Sequence, residues 1–98
     1  MVRVRHSRYV VRPDMQRIWR WIARDNPHAA DRVLRRINVA FQFIKDFPEA
    51  GAPREEYGEG VRVTVVGSYL ILYRIDRRAP LILRVVHGAM DLTRLDVP

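Results

Sequence analysis

A chain of 98 residues without cysteine is sized for one hydrophobic core and excludes disulfide staples and thiolate chemistry. Its net charge of +7, from 18 Lys+Arg against 11 Asp+Glu, favours an anionic partner, either nucleic acid or an acidic protein. No apolar run is long enough for a membrane span, no signal-peptide core follows the first charges, and His6, His28 and His87 stand at no recognised ligand spacing. A single cytoplasmic domain over residues 1–98, with no metal or cofactor, is therefore expected. All but one of the cations are arginine, which suits bidentate contacts to carboxylate or phosphate, although a GC-rich genome yields the same bias through codon use.

In chain order, an extended segment is expected within residues 2–11, with Tyr9-Val10-Val11 as its core. Arg12 precedes Pro13 and is pushed toward extended backbone, so a helix is expected to begin near Pro13, or near Ser7 with a kink at the proline. Met15, Ile18, Trp19 and Ile22 follow one buried helical face. Trp21 falls off that stripe, either as a partner-binding aromatic or as a boundary residue over the seam between helices, and the second reading is preferred.

Asp25-Asn26-Pro27 breaks this helix and starts another, with Asn26 as N-cap and Pro27 at the first helical position. The second helix should run to about Asp46, burying Ala30, Val33, Leu34, Ile37, Ala40, Phe41 and Ile44. Arg32, Arg35, Arg36 and Lys45 take its outer side, where a solvated charged face is the ordinary reading and a binding stripe the alternative. The segment from Phe47 to Gly60, rich in proline and glycine, reads as a loop.

Three β-type runs follow, at residues 60–66, 69–75 and 81–87. Gly67-Ser68 is a glycine-first hairpin signal, which sets Val66 opposite Tyr69, Thr64 opposite Ile71 and Arg62 opposite Tyr73. Val61, Val63, Val65, Leu70 and Leu72 then share an apolar face, while Arg62, Tyr69 and Tyr73 share a mixed one. Keeping Arg84 out of the core adds it to the mixed face, which the helices are expected to leave open. His87 should be a strand-end histidine bonded to the turn at Gly88, facing away from Arg84 unless the strand ends or bulges first.

The order strand, two helices, three strands implies an α+β fold: a two-helix hairpin on one face of a sheet whose last three strands form an antiparallel meander. The segments I-W-R-W-I-A-R-D-N-P-H-A-A-D-R-V, F-P-E-A-G, V-R-V-T-V-V-G-S-Y-L-I-L-Y-R and L-R-V-V-H-G-A-M-D-L together resemble the ParE branch of the RelE/ParE toxins of bacterial type II toxin–antitoxin systems. The resemblance covers most of the chain. It implies a toxin neutralised by an acidic ParD-like antitoxin and directed at DNA gyrase, whereas RelE-like members cut messenger RNA on the ribosome.

Antitoxin contact is expected at Trp19, Trp21, Arg32, Arg35, Arg36 and Tyr69, and target contact at Arg62, Tyr73, Arg84, His87 and Asp91. A ribonuclease would have to rely on Arg62, Arg84 and His87, with His87 the one plausible proton-transfer group. The segment after His87 lacks the further tyrosine, histidine or lysine that such relatives tend to carry. A toxin that binds without cleaving is the preferred reading, with direct nucleic-acid contact left open.

Overall fold

The computed structural model describes residues 5–6, 11–89, 95 and 97. A short strand β1 (Arg5–His6) precedes helices α1 (Val11–Ala23) and α2 (Pro27–Asp46). Strand β2 (Ala52–Pro53) and a 3-10 turn (Glu55–Tyr57) lead into β3 (Arg62–Val66), β4 (Tyr69–Asp76) and β5 (Ala79–His87). The sheet has the order β1-β5-β4-β3-β2, with β1 parallel to β5 and the other pairs antiparallel. The expected helical hairpin and meander are thus present. The first strand, however, lies at Arg5–His6, and Val11 opens the helix instead of ending a strand; Tyr9, Val10 and Ser7 lie outside the described residues.

Local chemistry accounts for the helix boundaries. Pro13 sits in the first turn of α1, where its missing N–H costs no hydrogen bond. Asn26 caps α2, its side-chain oxygen accepting from the Ala29 N–H at 3.0 Å, with Pro27 next in line. Trp19 donates its indole N–H to Asp31 at 2.9 Å and so ties α1 to α2.

The β3–β4 register is the one the turn implies: Arg62 opposite Tyr73, Thr64 opposite Ile71, Val66 opposite Tyr69, around Gly67 at φ 56°. Strict alternation fails in β5. Leu72 pairs with Arg84 but Tyr73 with Ile82, so Leu83 is an extra residue, a β-bulge that re-phases the strand. Ile82 and Val85 consequently enter the core under the helices, while Leu83 and Val86 join the opposite cluster.

The faces are assigned the other way round from expectation. Both helices cover the mixed face, where Ile71, Tyr73, Ile82 and Val85 meet Ile18, Ile37, Phe41 and Ile44. The apolar face of Val61, Val63, Leu72, Leu83 and Val86 is closed instead by Tyr57, Leu95 and Val97. Tyrosines can face a helical core when their hydroxyls find partners, and a cation can border it when a carboxylate meets it there. Both conditions are met.

Candidate functional site

Four residues expected on an open sheet face are used internally or turned elsewhere. Tyr73 is fully buried; its hydroxyl donates to the Pro48 carbonyl at 2.7 Å and accepts from the Gly51 N–H at 2.9 Å. The ring lies so close to Gly51 that a Cβ there would collide with the hydroxyl and sit 2.7 Å from Cε1. Across the strand pair, the Arg62 guanidinium donates to the Glu49 carbonyl at 3.0 Å and the Gly51 carbonyl at 2.8 Å. Arg62 and Tyr73 therefore clamp the loop that follows α2.

Arg84 meets Asp14 in a forked pair, Nε to Oδ2 at 2.7 Å and Nη2 to Oδ1 at 2.9 Å. The Val85 N–H also donates to Oδ2, at 3.0 Å, so one carboxylate holds both a cation and a strand amide. Asp14 is 2 % exposed and the Arg84 side chain 11 %. The expected open cluster of Arg62, Tyr69, Tyr73 and Arg84 is thus corrected: Arg84 spends its fork on an internal carboxylate, Arg62 on backbone carbonyls, and Tyr73 is inside. Sequence reasoning passed over Asp14, although a signal was there. An aspartate on the same helical stripe as Val11, Met15, Ile18 and Ile22 calls for a buried cation.

The surface that remains open has a different centre. Ile18, Trp21, Tyr69, Val85, Val86 and His87, with Asp14 and Arg17, line a cavity of about 360 Å³ between α1 and β5. Trp21 is 67 % exposed and carries the Arg24 guanidinium 5.4 Å from its ring centroid. Tyr69 and His87 stack edge to face with centroids 5.3 Å apart. Burial pushes the Tyr69 phenol above its ordinary value, so it stays a neutral O–H across the physiological range.

His87 is exposed at the strand end, its Nδ1 accepting from the Ala89 N–H at 3.0 Å, one residue beyond the expected turn partner. That bond assigns the proton to Nε2 in the neutral ring. Because the bulge re-phases β5, His87 shares its side of the sheet with Tyr69 and Ile82, which strict alternation from Ile82 would not have produced. Asp91 lies outside the described residues.

Along α2, Arg32, Arg35 and Arg36 are exposed, and the Arg36 head reaches the β3–β4 turn, 3.5 Å from where a Gly67 Cβ would stand. Beyond them Val39, Phe43 and Phe47, spaced by four, continue an exposed apolar stripe whose two rings lie 5.2 Å apart. This stripe also escaped the sequence reading, which took α2 as apolar on one side alone. Among the described residues no cluster of His, Cys, Asp or Glu could hold a metal, and no helix is long and apolar enough to cross a membrane.

The two-helix-on-sheet frame has a counterpart in a solved structure, and the sequence has relatives. Residues 7–92 match the family model of the ParE toxin of the type II toxin–antitoxin system parDE. The chain belongs to the ParE toxin family. Toxin ParE3 from Caulobacter vibrioides is 31% identical over 80 residues, 81% of this chain and 80% of the relative. The putative toxin Y4kP from Sinorhizobium fredii is 34% identical over 74 residues, 76% of each chain. A chain of a solved chromosomal ParDE system from P. aeruginosa superposes with a TM-score of 0.74 at 18% identity, covering 89% of this chain and 96% of the other, and shares its fold.

Proposed function

We propose that this ParE toxin acts by binding, that its target is DNA gyrase in the cytoplasm, and that an acidic ParD-like antitoxin neutralises it by occupying the same surface. The observation that carries this reading is the convergence of Trp21, Tyr69 and His87 on one cleft. Trp21 and Tyr69 belong to the residues expected to meet an antitoxin, and His87 to those expected to meet the target. A cleft shared by both makes neutralisation a matter of competition, since two partners cannot fill one cavity.

Charge supports the antitoxin half. Arg32, Arg35 and Arg36 form an exposed cationic run on α2, and the Val39, Phe43 and Phe47 stripe continues it, a pattern that an acidic amphipathic segment complements. A flexible segment would lose ordering entropy on docking, which apolar burial along that stripe offsets. The named neighbour is itself a ParDE system, a toxin with its partner.

The binding half is supported by where the candidate ribonuclease residues end up. Arg84 is engaged with Asp14, Arg62 with two carbonyls, and His87 has one nitrogen committed to Ala89. A cleavage centre needs its base, its acid and its free cations converging on one phosphate, and here both guanidinium groups are spent on internal acceptors.

The experiment is a gyrase supercoiling assay with purified toxin, followed for cleaved DNA complexes, alongside translated messages examined for new cuts. Cleaved DNA that disappears when antitoxin is added supports the proposal; message cuts with intact gyrase activity return the ribonuclease reading. Trp21→Ala should weaken antitoxin and target binding together. Loss of one with the other unchanged would separate the two surfaces.

A further inference from the structure

The turn between β4 and β5 is built from the wrong residues for its shape. Asp76 pairs with Ala79 around a two-residue loop, and both loop residues have positive φ, Arg77 at 52° and Arg78 at 65°. Consecutive left-handed residues define the hairpin turn that favours Asn-Gly, because a Cβ crowds the following carbonyl there. Two arginines in succession therefore hold a strained backbone, and strain of this kind persists where the side chains are needed.

The turn also lies past the end of β3. Pairing of β3 with β4 stops at Tyr73, while β4 stays paired with β5 for three further residues, to Asp76 opposite Ala79. At roughly 3.4 Å per residue those three add about 10 Å. Arg74 and Asp76 are engaged in contacts of their own, so the available charge at the tip is that of Arg77 and Arg78, both exposed.

We propose that the β4–β5 tip is a contact site for the phosphodiester backbone of duplex DNA, made by the guanidinium groups of Arg77 and Arg78. A protein partner fits the tip less well, because protein hot spots, arginine included, sit in well-packed and fully desolvated pockets. The tip offers no aromatic residue, only Ile75 half-exposed at its base. Phosphates recur regularly along a strand, so two cations on a short turn find partners without a fixed register, and guanidinium forks match phosphate oxygens. The net charge of +7 adds long-range attraction of the same sign. The site is distinct from the α1–β5 cleft and does not depend on gyrase being the target.

The test uses the full chain, free of partner, titrated into a labelled DNA duplex by fluorescence anisotropy at several salt concentrations. The variant carries Arg77→Asn and Arg78→Gly together, which restores the favoured turn residues and removes two cations. Melting temperature should rise by about 5 °C or more. Duplex binding should weaken roughly tenfold at low salt, and the slope of log K against log salt should shrink by about 1.8.

Stability and binding thus move in opposite directions, which misfolding cannot imitate. A double variant of exposed arginines elsewhere, Arg12→Gln with Arg54→Gln, controls for net charge and should leave the slope nearer that of the native protein. The proposal is overturned by any of four results: no duplex binding by the native chain, an unchanged slope in the turn variant, an equal drop in the control, or a fall in melting temperature. Loss of antitoxin binding with DNA binding intact would make the tip a protein contact and overturn it equally.

Discussion

Arg84 and Arg78 lie six positions apart on either side of one strand's start, yet they are held in opposite ways. Arg84 is taken out of water and satisfied by a forked carboxylate, while its neighbour Val85 gives its amide to the same group. Arg78, with Arg77, stays in water and bends the backbone into a conformation that disfavours side chains. One end of β5 uses arginine to join a helix to a sheet, and the other tolerates strain to present it. An arginine's role follows from what its strand brings within reach, not from its residue type.

The largest effect should come from breaking the interior end. Asp14→Ala leaves a buried guanidinium and a strand amide without their acceptor, and urea denaturation should show a loss of about 3–5 kcal/mol. A loss below about 1 kcal/mol would mean that solvent or another group satisfies Arg84. Next comes the loop clamp: Tyr73→Phe removes the hydroxyl that serves both Pro48 and Gly51, and about 1–3 kcal/mol should go with it. If that variant were as stable as the native chain, the clamp would be geometry without energy.

Relaxing the exposed end should have the opposite sign. Asn and Gly at positions 77 and 78 should stabilise by about 1–2 kcal/mol, read from the same denaturation curves. Smallest is an effect of pH at the cleft. Tyr69 has its phenol raised by burial, so the stability linked to its proton is complete below the unfolded value near 10 and declines as pH rises through the higher folded one. Tyr69→Phe should flatten that alkaline decline while leaving stability at neutral pH nearly unchanged; an identical alkaline profile would show that the decline belongs to other groups.

Much of the frame was legible because its signals are local. Asn26-Pro27 started α2, Gly67-Ser68 set the β3–β4 register pair by pair, and the three- and four-residue spacing of Ile37, Phe41 and Ile44 marked the face that became the core. The candidate site was legible only in part. Trp21 and the arginines of α2 are exposed as a partner surface requires, but Arg62, Tyr73 and Arg84 serve the interior. Their partners are the carbonyls of residues 48, 49 and 51 and the carboxylate of Asp14, groups remote along the chain whose proximity no spacing rule reports.

By itself, then, the order of residues determined the helices, the meander, its first hairpin register and the basic character of the molecule, because capping, turn geometry and periodicity act over a few residues. Tertiary structure alone decided which sheet face the helices cover, where Arg84 sends its charge, and that Trp21, Tyr69 and His87 meet in one cleft. The physical reason is a single extra residue in β5 and a single carboxylate on α1. A bulge re-phases every side chain after it, and a buried acid draws to itself the cation that would otherwise have remained in solvent.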